Sequence, residues 1–98
     1  MTKLRAHVYI KGRVQGVYFR QNTKQQAKMR SVKGWVRNLS DGRVEAVFEG
    51  EEDAVKAMVD FCSKGPAGAV VEDVAVIWEP FANEFLCFAV LYQEAADG

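Results

Sequence analysis

Histidine and cysteine are scarce in this chain. His7 is the only histidine, and Cys62 and Cys87 are the only cysteines. No His/Cys/Asp/Glu set has metal-ligand spacing, so no metal site and no cofactor are expected. Ser31, Ser40 and Ser63 have no base neighbour in sequence and stand in no nucleophile-elbow motif, which argues against a serine hydrolase. Two cysteines are too few for a disulfide framework. Both are expected as buried reduced thiols, Cys62 on the apolar face of a helix and Cys87 within an apolar strand. An excess of either charge is lacking too: Lys+Arg and Asp+Glu are 13 each. A balanced chain gains little long-range attraction to nucleic acid or anionic membrane, so an anion must be held by a local arrangement of donors. No apolar run of about eighteen residues occurs, and "MTKLRAHVYIKG" lacks the apolar core of a signal peptide. A soluble cytoplasmic protein, with neither nucleic acid nor membrane as partner, is the expectation.

What is present is ordinary globular material. The 98 residues are 49% hydrophobic and 27% charged, enough for one domain with one core, spanning 1–98. "LRAHVYI" alternates, with Leu4, Ala6, Val8 and Ile10 on one side and Arg5, His7 and Tyr9 on the other, which predicts a first strand. A glycine loop follows. From about Tyr18 to Arg30, apolar Phe19 and Ala27 form the buried stripe of a first helix, with Gln25, Gln26 and Lys28 facing water. In "KGWVRNLSDGRVEAVFEG", Asp41-Gly42 signals the turn of a hairpin with arms Trp35 to Leu39 and Arg43 to Glu49. Val55, Met58, Val59 and Cys62 give a second helix its apolar face, acidic residues fill its first turn, and Gly65-Pro66 stops it. "VVEDVAVIW" and "FLCFAVLY" read as two further strands, with Trp35, Phe48, Trp78 and Phe85 as core aromatics; "EAADG" reads as a loose tail. The order predicts an α+β, ferredoxin-like β-α-β-β-α-β sandwich. It has an antiparallel sheet, two helices on one face and an extra C-terminal strand.

Two stretches carry possible chemistry. "GRVQGVYFR", residues 12–20, runs from a strand into a helix N-terminus, where successive N–H groups can form a concave anion nest. Gly12 and Gly16 would let the backbone curl, and Arg20 in the first helical turn brings a fork of donors matched to phosphate oxygens. The GK[ST] ending of a nucleotide P-loop is absent. A plain tight turn explains the same glycines. In "GWVRNLSDG", Asn38 is unusual for a strand interior. It either begins the turn or points across the sheet edge to hold a water or substrate oxygen; Asp41 reads as turn chemistry.

Taken together, "GRVQGVYFR" and "GWVRNLSDGRVEAVFEG" resemble the two signature motifs of the acylphosphatases, in the right order and separation. The resemblance implies hydrolysis of the carboxyl–phosphate anhydride of an acyl phosphate, giving a carboxylate and inorganic phosphate. It implies that Arg20 binds the phosphoryl group, that Asn38 orients the attacking water, and that backbone N–H groups of Gln15, Gly16, Val17, Tyr18 and Phe19 complete the cradle. It also implies a small-molecule substrate, no metal and a monomer. A leaving carboxylate of pKa about 4 needs little general-acid help, so one histidine is no obstacle. The proton acceptor is not visible; the substrate phosphate is a candidate.

The chain departs from the family pattern at Tyr18, often a smaller residue, and at Ser31, often glycine. The related domain also begins larger hydrogenase-maturation proteins, but a chain of this size favours the stand-alone enzyme. Two alternatives remain: a non-catalytic RNA-binding module on the same architecture, which would need exposed stacking aromatics and a basic sheet face, and an acylphosphatase-like scaffold that has lost activity and keeps only an anion site.

Overall fold

The computed structural model describes residues 2–92. The elements run β1 (Lys3–Arg13), α1 (Phe19–Met29), β2 (Lys33–Asn38), β3 (Val44–Glu51), α2 (Glu52–Lys64), β4 (Val70–Glu79) and β5 (Phe88–Leu91). The sheet order is β4-β1-β3-β2-β5. The first four strands pair antiparallel, in the split βαβ arrangement that the element order predicts. β5 adds to the free edge of β2 in parallel, making the sheet mixed.

Period-two alternation explains the core. Ala6, Val8 and Ile10 of β1 pair with Phe48, Ala46 and Val44 of β3, and all six are fully buried on the helix-covered side. Phe19, Thr23 and Ala27 of α1 and Val55, Met58 and Cys62 of α2 close over them. Thr23 joins the predicted stripe because its hydroxyl donates to the Phe19 carbonyl one turn back, at 2.8 Å, and so is satisfied when buried.

The opposite sheet face is polar but tightly paired. Glu45 and Glu49 are only 4% and 3% exposed. Glu45 takes Arg37 Nη2 at 2.6 Å on one oxygen and lies 2.5 Å from His7 Nε2 through the other. Burial pushes the Glu45 carboxyl upward, but hydrogen bonds from His7, Arg37 and Tyr9, with the Arg37 charge, outweigh it and hold the group below the ordinary range. Glu49 accepts from the backbone N–H of Ala82 at 2.7 Å and of Glu84 at 3.2 Å. These bonds pin the segment that carries the chain from β4, at one edge, to β5, at the other.

Helix α1 ends in a Schellman motif. The Val32 N–H donates to the Ala27 carbonyl at 2.9 Å and the Ser31 N–H to the Lys28 carbonyl at 3.3 Å, with Ser31 left-handed at φ 57°. The departure at Ser31 therefore falls at the C′ position, where glycine is the usual occupant.

Three expectations need correction. Cys87 is exposed and precedes β5 rather than lying buried within a strand, because β5 is confined to four residues. Trp78 is 49% exposed: β4 is an edge strand, and Trp78 pairs with Ala6 without a helix above to cover it fully. Trp35 and Phe85 are half-buried, leaving Phe48 as the one member of the expected core quartet inside it. Gly12 belongs to β1, not to the loop. It sits at a bulge with φ 137°, where an added Cβ would lie 2.2 Å from the Val70 carbonyl oxygen.

Candidate active site

The loop from Val14 to Tyr18 joins β1 to α1 at the end of the sheet where β2 stops. Its backbone alternates in handedness: Gly16 has φ 77°, and Tyr18 has φ 61°, ψ 26°. Left-handed residues interleaved with ordinary ones turn successive N–H groups toward one side, which is the geometry of an anion nest. Gly16 adopts this conformation at little cost; Tyr18 does so at the sterically expensive position of a bulky N-cap. No hydrogen bond to a backbone or side-chain acceptor among the described residues engages the N–H groups of Gln15 to Phe19 outside regular helix and strand pairing. Tyr18 also provides no side-chain cap, so the first N–H groups of α1 stay free.

Arg20 stands in the first turn of α1, as its place in the sequence predicts. Its Nη1 donates to the Leu91 carbonyl at 3.4 Å, and its guanidinium carbon lies 5.0 Å from the centroid of the Tyr92 ring. Gln21 secures that ring from the next helical position, donating from Nε2 to the Tyr92 hydroxyl at 3.0 Å. Among the described residues, no other acceptor engages the guanidinium.

Asn38 is the last residue of β2, paired with Val44. Its carboxamide Oδ1 is buried and has no hydrogen-bond partner among the described residues. An unpaired buried acceptor costs about 1–3 kcal/mol, so such an atom in a folded protein calls for a reason. Asn38 is also one of the residues that line a cavity. A hollow of about 360 Å³ is lined by Gly16, Tyr18, Phe19, Arg20 and Asn38, with Val14 and Gln21 completing it. Two motifs separated in sequence thus converge on one space.

Not every expected residue lines that space. Val17 packs against the core, and the Gln15 side chain turns to the hairpin, donating to the Leu39 and Arg43 carbonyls at 2.7 and 3.0 Å. Tyr18 is 78% exposed and gives the cavity an aromatic rim. Asp41 serves the turn, its Oδ1 accepting from the Arg43 N–H at 3.1 Å. A larger hollow of about 480 Å³ beside it mixes Lys11 and Arg43 with Asp41 and Glu72. Its carboxylates oppose an anion, and Arg43 is already paired with Asp41 at 2.8 Å. Sequence reasoning missed Leu91, Tyr92 and Gln21 as supports of Arg20. No local pattern signals a contact between residues 71 positions apart.

Comparison with known proteins identifies the family. The acylphosphatase family model matches residues 6–90. An acylphosphatase of Chloroflexus aurantiacus is 60% identical over 92 residues, covering 94% of this chain and 100% of the relative. One from Syntrophus aciditrophicus is 52% identical over 92 residues, with 94% and 96% covered. The crystal structure of acylphosphatase from Bacillus subtilis superposes with a TM-score of 0.87 at 35% identity, covering 91% of this chain and 99% of that one. Family model, full-length relatives and superposed fold all describe the same unit, and the chain belongs to the acylphosphatase family.

Proposed function

We propose that the chain hydrolyses acyl phosphates to a carboxylate and inorganic phosphate, using a backbone N–H cradle, Arg20 and an Asn38-positioned water. Family membership carries the activity. The observation that supports the residue roles is the convergence of Arg20, Asn38 and the loop residues Gly16, Tyr18 and Phe19 on one cavity, with Asn38 Oδ1 left without a hydrogen-bond partner among the described residues.

The phosphoryl group sits against the N–H groups of Gln15 to Phe19 at the positive end of α1, with Arg20 neutralising its charge. Asn38 Oδ1 accepts a hydrogen bond from the water and aims its lone pair at phosphorus. A new P–O bond forms as the bond to the acyl oxygen breaks, and the departing electron pair stays on the carboxylate. With a leaving group of pKa about 4, no general acid is required. A phosphoryl oxygen takes the water's proton. Preorganised positioning and charge stabilisation supply the rate, and no metal is needed for either.

The reading includes a single domain over 1–98, acting as a cytoplasmic monomer. The RNA-binding alternative fits less well: although His7, Tyr9 and Trp35 form an aromatic patch on the open sheet face, its Arg37 is paired with Glu45 and its Arg5 with Glu49 and Glu79. The decisive assay is benzoyl phosphate hydrolysis with a chelator present. Phosphate release well above background supports the proposal; background release from folded protein refutes it. Gel filtration at assay concentration checks the monomer.

A further inference from the structure

Gln15 lies in the cradle loop, yet its side chain is committed elsewhere. Its single carboxamide nitrogen donates to two carbonyls, Leu39 at 2.7 Å and Arg43 at 3.0 Å. These residues form the neck of the β2–β3 hairpin, where the Leu39 N–H donates to the Arg43 carbonyl at 2.8 Å. Asn38 directly precedes that neck. Among the described residues, these two bonds are the only side-chain hydrogen bonds between residues 14–18 and residues 39–43.

We propose that Gln15 is a positioning residue for acyl phosphate hydrolysis. It locks the hairpin end that carries Asn38 to the loop that holds the phosphoryl group. The inference rests on the reading of Asn38 as the group that orients the water. Phosphorus and water are held by two separate pieces of chain, a strand-to-helix loop and a hairpin end. In-line attack requires both pieces to stand in one relation, and a displacement of about 1 Å costs on the order of a hundredfold in rate. Gln15 supplies a cross-link between the two.

Its removal does not leave the hairpin unsatisfied. The Leu39 carbonyl still accepts from the Gly42 N–H at 3.2 Å, and the Arg43 carbonyl from the Leu39 N–H. Losing Gln15 therefore acts on the relation between the two pieces more than on the stability of either.

Gln15→Met keeps the length and volume of the side chain and removes both donors. Benzoyl phosphate turnover, inhibition by inorganic phosphate and thermal unfolding are compared for the parent, Gln15→Met, Asn38→Ala and the double variant. Gln15→Met is expected to lower kcat about tenfold to a hundredfold, with phosphate inhibition within about threefold of the parent. Added to Asn38→Ala, it is expected to change kcat by less than about twofold, because the group it positions is gone. Equal losses in both backgrounds overturn the proposal, as does parental kcat in folded Gln15→Met. Parental kcat in Asn38→Ala removes the role of Asn38 and this inference with it. A slow Asn38→Ala beside a fast Gln15→Met removes only the role of Gln15. If Gln15→Met does not fold, Gln15→Asn replaces it. One methylene shorter, it cannot span both carbonyls, and parental kcat in that variant overturns the proposal.

Discussion

The guanidinium carbon of Arg20 lies 5.0 Å from the centroid of the Tyr92 ring, so the first turn of the first helix packs against the residue that follows the last strand. That contact supports the one charged side chain among the described residues lining the cavity. Arg20→Ala is expected to weaken inhibition by inorganic phosphate about tenfold to a hundredfold, the equivalent of a lost charged hydrogen-bonding group. Tyr92→Ala removes the cation–π support and the hydroxyl that accepts from Gln21, and should weaken it about threefold. Inhibition constants measured at one pH and salt concentration test both values.

Asn38→Ala is expected to separate turnover from binding. Turnover should fall about a hundredfold while phosphate inhibition changes by less than about threefold. Because the substitution also removes a buried acceptor without a partner, the variant should melt no lower than the parent. A matching loss of phosphate affinity would contradict a water-orienting role.

Ser31 holds a left-handed conformation that costs a non-glycine residue about 1–2 kcal/mol. Glycine at this exposed C′ position removes that cost but adds about 0.5–1 kcal/mol of unfolded-chain entropy. Ser31→Gly should therefore stabilise by about 0.5 kcal/mol or slightly more, a rise of about 3 °C in Tm for a domain this small. Turnover should not change.

The Glu45 carboxyl is held below its ordinary range in the folded state. A depressed carboxyl contributes stability above its unfolded pKa, and that stability is lost as pH falls through the folded value. The parent should therefore lose Tm as pH drops below about 4.5, the unfolded carboxyl range. Glu45→Gln should show a flatter acid slope. At neutral pH the same variant should be less stable by about 2 kcal/mol, because Arg37 loses its buried partner. Thermal scans from neutral to acid pH check both signs.

The two thiols should respond differently to a disulfide-exchange reagent. Cys87 is exposed and should react in the folded protein. Cys62 is buried and its pKa is pushed up to about 12 by desolvation, so it should react only on unfolding. One fast thiol per chain, rising to two in denaturant, is the expected count.

Patterns of short range were legible. The alternation of Ala6, Val8 and Ile10, the stripe from Phe19 to Ala27 and the Asp41-Gly42 turn each report a local periodicity or backbone preference. Three of the failures share one cause. Cys87, Trp78 and Phe85 are apolar or aromatic residues in β-rich segments, and whether such segments are covered depends on sheet order. With β4 and β5 at the two edges, apolar residues of both segments, among them Ile77, Trp78 and Leu86, meet solvent. Gly12 was readable as a glycine with a purpose, but its purpose is the close approach of β4, a strand nearly sixty residues away.

The site divides along the same line. The sequence by itself determined the chemical parts: a glycine-bearing loop entering a helix, an arginine in that helix's first turn, a carboxamide at a strand end, and two motifs whose spacing marks the family. Only the tertiary structure decided which of them meet. It turned the Gln15 side chain away from the cavity and onto the hairpin, buried the Asn38 oxygen beside the nest, and brought Leu91 and Tyr92 behind Arg20. The physical reason is strand pairing: β2 lies between β3 and β5, so its last residue reaches the cradle only once a sheet exists to carry it there.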